Sequence, residues 1–134
     1  MFIYAVQTDS KSHTVASGWL AAAGDGDEVL GIPGLVLSAF VRISTNRRMV
    51  SLALSVEDAF SRCNEFLAMP AAASLDPGAI HWDIFRTLVL ESGVSGPHVS
   101  DAYLAAFAIE NNATFVTFDR GFRRFEGLKL QVLE

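Results

Sequence analysis

Short apolar or β-branched runs alternate with helix-length segments along this chain, and glycine or proline marks separate them at 24–27 (GDGD), 33–34 (PG), 76–78 (DPG) and 92–97 (SGVSGP). That alternation leaves few folds open. Strands separated by helices pair in parallel through crossovers, and a parallel sheet needs cover on both faces. Apolar spacing and capping residues predict helices over Ser12–Ala23, Leu35–Thr45, Ser55–Leu67, Asp76–Leu90 and Ser100–Asn111. In the last of these, Ser100 or Asp101 is the expected cap. Strands are expected at Val29–Ile32, Ala71–Leu75, Thr114–Phe118 and Leu128–Leu133, with a short helical turn over Arg120–Phe125. The expected class is α/β, a doubly wound parallel sheet flanked by helices.

A chain of 134 residues, 51% of them hydrophobic, has the size and apolar content of a single domain spanning residues 1–134. Cys63 is the only cysteine, so no internal disulfide forms. With no basic residue before the N-terminal apolar run and no cleavage site after it, a cytoplasmic protein is expected. The longest apolar stretch, Leu35–Ile43, is broken by Ser38 and Arg42 and falls well short of the ~20 residues of a spanning helix, so no membrane association is expected.

The net charge of −5 excludes a protein that coats nucleic acid by bulk attraction. Six of the ten basic residues nevertheless gather in two clusters: Arg42, Arg47 and Arg48, then Arg120, Arg123 and Arg124. They read either as solvated helix ends or as groups that steer a phosphate backbone.

Ligand sites in doubly wound sheets lie beyond the carboxyl ends of the strands. Asp119 directly follows the Thr114–Phe118 strand, and Asp101 opens the helix before it. Each also has a plain structural reading, Asp101 as a helix cap and Asp119 as a turn former. His81 and Trp82 are expected to pack their helix onto the sheet; His98, near Asp101, could meet substrate but is expected to lie exposed in a loop. No Ser-His-Asp arrangement, phosphate-binding glycine loop or zinc-like Cys/His set is present.

The stretch Val99–Phe125, VSDAYLAAFAIENNATFVTFDRGFRRF, carries a more specific signal. An aspartate opens a helix of small residues, and a polar turn, an apolar strand and Thr-x-Asp-x-x-Phe follow. This resembles the C-terminal acidic motif of PIN-domain nucleases of the VapC type. Pro33–Arg48 (PGLVLSAFVRISTNRR) resembles that family's second helix, His81–Arg86 (HWDIFR) a later helix, and Tyr4–Leu20 the segment after the first strand. The resemblance implies a parallel sheet with carboxylates at the strand ends that hold Mg²⁺ or Mn²⁺ and cut RNA. It implies Asp101 and Asp119 as metal ligands and catalytic groups, and Thr117 near the metal's water or the RNA. The six clustered arginines become RNA contacts. Structured RNA (tRNA or rRNA), a cognate antitoxin and a homodimer are implied likewise.

The chain departs from the family pattern in two places. The family's first strand and its aspartate precede the residues matching Phe2–Ala5, and Ala39 stands where a glutamate is usual. Two arrangements follow: Phe2–Val6, all strand-prone except Ala5, is recruited as the central strand, or a partner chain covers the open edge. Recruitment is the favoured one, and it would set Asp9 near the missing carboxylate. Family register instead makes Phe2–Ala5 a short helix. The missing aspartate also leaves a second function open, a PIN-like module that binds antitoxin or RNA without cutting. A phosphoacceptor signalling domain shares a strand-end aspartate, but it needs an acidic pair after the first strand and a lysine near the last.

Overall fold

The computed structural model describes residues Met1–Glu134, in which helices and short strands alternate as the punctuation requires. The order is α1 (Phe2–Val6), α2 (His13–Gly24), β1 (Leu30–Pro33), α3 (Gly34–Ser44), α4 (Val56–Ala68), β2 (Ala72–Leu75), α5 (His81–Ser92), α6 (Val99–Glu110), β3 (Thr114–Thr117) and β4 (Lys129–Val132). Short 3-10 turns cover Gly96–His98 and Arg120–Arg124. The chain divides into two compact units, Met1–Leu75 and Asp76–Glu134. No helix is long and apolar enough to cross a membrane.

In the first unit β1 and β2 pair in parallel, with Leu30 opposite Ala72 and Pro33 opposite Leu75. The helix expected after Ser55 forms there, because the serine hydroxyl accepts the Asp58 amide at 3.0 Å and Glu57 and Asp58 sit in the positive first turn. The core gathers Phe2, Leu20, Ile32, Phe40, Ala59, Cys63 and Phe66. Burial also pushes the Cys63 thiol pKa up, so this lone cysteine is an inert packing residue.

Phe2–Val6 is a helix, not the recruited strand. The Ala5 amide donates to the Met1 carbonyl at 3.1 Å and the Gln7 amide to that of Ile3 at 2.9 Å. Phe2 is buried with its ring centroid 4.4 Å from that of Phe66. Strand propensity mainly reports how a side chain packs, and here the aromatic contact is made from a helical turn. The family register is the one observed. Asp9 therefore ends no strand; it lies exposed in the turn after α1, where its carboxylate accepts the Ser51 hydroxyl.

In the second unit β3 and β4 are also parallel, Thr114 opposite Lys129 and Thr117 opposite Val132. Helix α6 presents Ala102, Ala105 and Ala106, all fully buried, to a core with Leu88, Phe122 and Phe125. Small side chains let α5 and α6 approach closely. The helix expected from Asp76-Pro77 begins only at His81. The reason is a side chain from elsewhere: Glu110 accepts the Gly78 amide at 2.8 Å and the Ile80 amide at 3.1 Å. A carboxylate there answers amides that the helix start leaves unpaired. Gly78 is required for it, since a Cβ would lie 2.5 Å from a Glu110 carboxylate oxygen.

His81 and Trp82 part company. His81 is 1% exposed, packed on the rings of Tyr103 and Phe107 of α6 rather than on a sheet, with Nε2 3.0 Å from the Tyr103 carbonyl oxygen. Trp82 is 65% exposed and touches only the edge of Phe85 among the aromatic rings. Helical periodicity explains the split: adjacent residues point about 100° apart, so only one of the two can face α6.

Candidate functional site

Both aspartates lie in the second unit. Asp101 sits in the first turn of α6, which begins at Val99 behind His98 and has no side-chain cap. It is therefore neither the cap that spacing suggests nor committed to the helix backbone, and Ser100 does not cap either. Its negative charge is favoured there by the helix dipole. Half-buried, it has one close polar neighbour: Oδ2 is 3.4 Å from Nδ1 of His98. His98 is exposed as expected, yet it attends Asp101 rather than standing alone in a loop.

Asp119 lies one residue past β3, after Phe118, and is held by two bonds of the same spacing. Its amide donates to Thr117 Oγ1 at 3.1 Å, and its Oδ1 accepts the Gly121 amide at 2.7 Å. Such side-chain-to-backbone bonds stabilise tight turns. The turn-former reading of Asp119 is thus true of one oxygen. Thr117 acts first as the acceptor that fixes the Asp119 backbone. The Leu133 amide on the Thr117 carbonyl (2.8 Å) extends the β3–β4 pairing to this edge.

Element lengths set where the two aspartates fall. From Asp101 to Glu110 the helix advances about 14 Å. The chain then reverses through Asn111–Ala113, and from Thr114 to Asp119 the extended segment returns about 16 Å. α6 packs on β3, so the returning segment runs back along that helix and leaves Asp119 beyond the carboxyl end of the strand. This is the carboxyl edge of the parallel pair, where ligand sites of such sheets lie. No group of three or more His, Cys, Asp or Glu forms that could hold a metal ion, and His98 is the one such residue beside Asp101.

The donor chemistry fits a hard divalent cation. Mg²⁺ takes oxygen ligands in octahedral geometry, and one or two protein carboxylates with water and substrate phosphate commonly complete its shell. Asp101 and Asp119 offer two carboxylates, and neither is within 4.0 Å of a lysine or arginine nitrogen.

The arginine clusters fall in different units. Arg42 occupies the last turn of α3, and Arg47 and Arg48 follow it, all three exposed. Arg42 thus meets the dipole reading of a helix end. Arg120, Arg123 and Arg124 form the turn that Asp119 caps, next to the aspartate pair.

Spacing did not single out Gly121 or Glu110. The Thr117-x-Asp119-x-Gly121 pattern is the one local signal, since hydroxyl and carboxylate groups favour amides two residues on. Glu110 gave none, because its partners lie 30 and 32 residues away.

The PIN domain family model matches residues 1–128. Ribonuclease VapC43 of Mycobacterium tuberculosis is 42% identical over 129 residues, 96% of this chain and 88% of that protein. Ribonuclease VapC37 of the same organism is 35% identical over 129 residues, 96% of this chain and 90% of that one. Among solved structures, that of VapBC2 from Rickettsia felis bound to a promoter DNA fragment superposes with a TM-score of 0.69, covering 99% of this chain and 93% of that one at 22% identity. The Val99–Phe125 motif, the parallel strand pairs and a family match over nearly the whole chain agree: the chain belongs to the PIN-domain family, in its VapC branch.

Proposed function

We propose that the protein is an Mg²⁺- or Mn²⁺-dependent endoribonuclease toxin, neutralised by a cognate antitoxin. The observation that carries this is Asp119 just past the carboxyl end of β3 and Asp101 in the first turn of α6, the helix that packs on that strand, in a chain whose VapC relatives are named ribonucleases. Phosphodiester cleavage builds charge on phosphate oxygens. A divalent cation, when bound, neutralises that charge and lowers the pKa of its water.

The chain's own residues supply the rest. Asp101 and Asp119 are the cation's protein ligands, and the Thr117 and Gly121 bonds hold Asp119 ready before any ligand arrives. Glu110 and His81 lock α6 to the α5 region and so fix the helix on which Asp101 rides. The arginines attract the RNA backbone, with Arg42, Arg47 and Arg48 forming a separate basic patch. We assign structured RNA, tRNA or rRNA, as substrate class, and a cytoplasmic homodimer as the working form.

A second reading has one observation in its favour: no group of three or more His, Cys, Asp or Glu forms that could hold a metal ion. It makes the chain a module that binds RNA or antitoxin without cutting. Incubating the purified protein with total tRNA and rRNA separates the two. Cleavage should appear with Mg²⁺ or Mn²⁺, stop on adding EDTA and return when the cation is restored in excess. Binding with no cleavage under any divalent cation establishes the second reading instead.

A further inference from the structure

The structure treats the three arginines that follow Asp119 differently. Arg120 is committed to Glu134, its Nη2 donating to Oε1 at 2.9 Å, and both side chains are well exposed. Arg123 is exposed in the last turn of the 3-10 segment. Arg124 is folded back along the turn: its Nε donates to the Gly121 carbonyl at 2.6 Å, and its guanidinium carbon lies 6.0 Å from the centroid of the buried Phe125 ring.

Gly121 admits that arrangement. A Cβ at Gly121 would lie 2.5 Å from Arg124 Nη2 and 2.9 Å from Asp119 Oδ1. The guanidinium and the carboxylate are therefore neighbours over the bare glycine, no farther apart than those two lengths together. They form no ion pair within 4.0 Å, so neither charge is consumed by the other.

We propose that Arg124 is the phosphate-contacting arginine of the cleavage site, gripping the RNA phosphate that lies beside Asp101 and Asp119. This rests on the reading of that pair as the site. An anchored Nε leaves the Nη donors in a fixed fork, which suits the paired oxygens of a phosphate. Anchoring also lowers the ordering cost of the contact relative to a free surface arginine. Arg120 and Arg123 then serve the backbone at large, and Gly121 keeps the space beside Arg124 clear.

The test uses the full chain and a short, mixed-sequence, fluorophore-labelled RNA. Arg124→Gln should lower kcat about a hundredfold, as loss of one preorganised donor does, and raise KM only a few-fold. Arg123→Gln should raise KM a few-fold and leave kcat alone. Gly121→Ala keeps every charge but crowds both Arg124 Nη2 and Asp119 Oδ1, so it should lower kcat as Arg124→Gln does while melting near the parent temperature and binding Mn²⁺ as the parent does, whereas a displaced Asp119 would weaken Mn²⁺. In EDTA, on an Asp101→Asn background that cannot cut, Arg124→Gln should reduce the salt slope of RNA binding by about one. If Arg124→Gln melts early, Gly121→Ala decides. Wild-type kcat in the folded Arg124→Gln protein, or in Gly121→Ala when that variant decides, overturns the proposal while an inactive Asp119→Asn leaves the site reading standing. An Asp119→Asn protein that cuts normally overturns the site reading, and this proposal with it.

Discussion

Asp101→Asn should lower RNA cleavage about a thousandfold, a loss of roughly 4 kcal/mol of transition-state stabilisation. Asparagine keeps the shape and one oxygen but removes the charge that holds a hard cation. Stability should scarcely move. Asp101 caps nothing, and losing its attraction to the dipole of α6 costs at most about 1 kcal/mol. Ser100→Ala, one position earlier in the same turn and exposed, should cut at the parent rate, which separates loss of the ligand from disturbance of the helix start. Undiminished cleavage by Asp101→Asn would remove Asp101 from the site.

The largest stability effect is expected at Phe66. Its ring meets Phe2 at 4.4 Å and the edge of Phe40 at 5.4 Å, and it is 8% exposed. Phe66→Ala should cost about 3–5 kcal/mol, the sum of lost apolar transfer and an unfilled cavity. That is a large part of the 5–15 kcal/mol that holds an ordinary domain folded. Because Phe2 packs on this ring, the short helix α1 should loosen with it. Urea denaturation followed by circular dichroism reads the first effect, and hydrogen exchange at the Ala5 and Gln7 amides reads the second. A loss below about 1 kcal/mol would mean that the core of the first unit does not depend on this aromatic cluster.

Much of this arrangement is legible in the sequence because its causes are local. Ser55 with Glu57 and Asp58 announces α4, and the β-branched run Thr114–Thr117 between polar turns announces β3. The Val99–Phe125 motif places both aspartates before any coordinate does. What the sequence hides is decided by distant partners. Phe2–Val6 is strand-prone residue by residue, yet a phenylalanine 64 positions away in the chain pairs with Phe2 and the segment stays helical. Asp76-Pro77 has the form of a helix start, but the Glu110 carboxylate holds the Gly78 and Ile80 amides in the loop before α5. Trp82 and His81 look alike as apolar-faced neighbours, and only the position of α6 decides which is buried. At the site, local spacing gives the Thr117–Asp119–Gly121 turn but not the seating of Arg124 over Gly121, which rests on the path its side chain takes to the Gly121 carbonyl.

The central claim is that Asp101 and Asp119 together hold a divalent cation. Titrating Mn²⁺ into the protein and following the free ion by electron paramagnetic resonance tests it without RNA or antitoxin. The account predicts one bound Mn²⁺ per chain, weakened at least tenfold in Asp101→Asn and again in Asp119→Asn, with Mg²⁺ competing for the same place. Mn²⁺ bound equally well by both asparagine variants would contradict it.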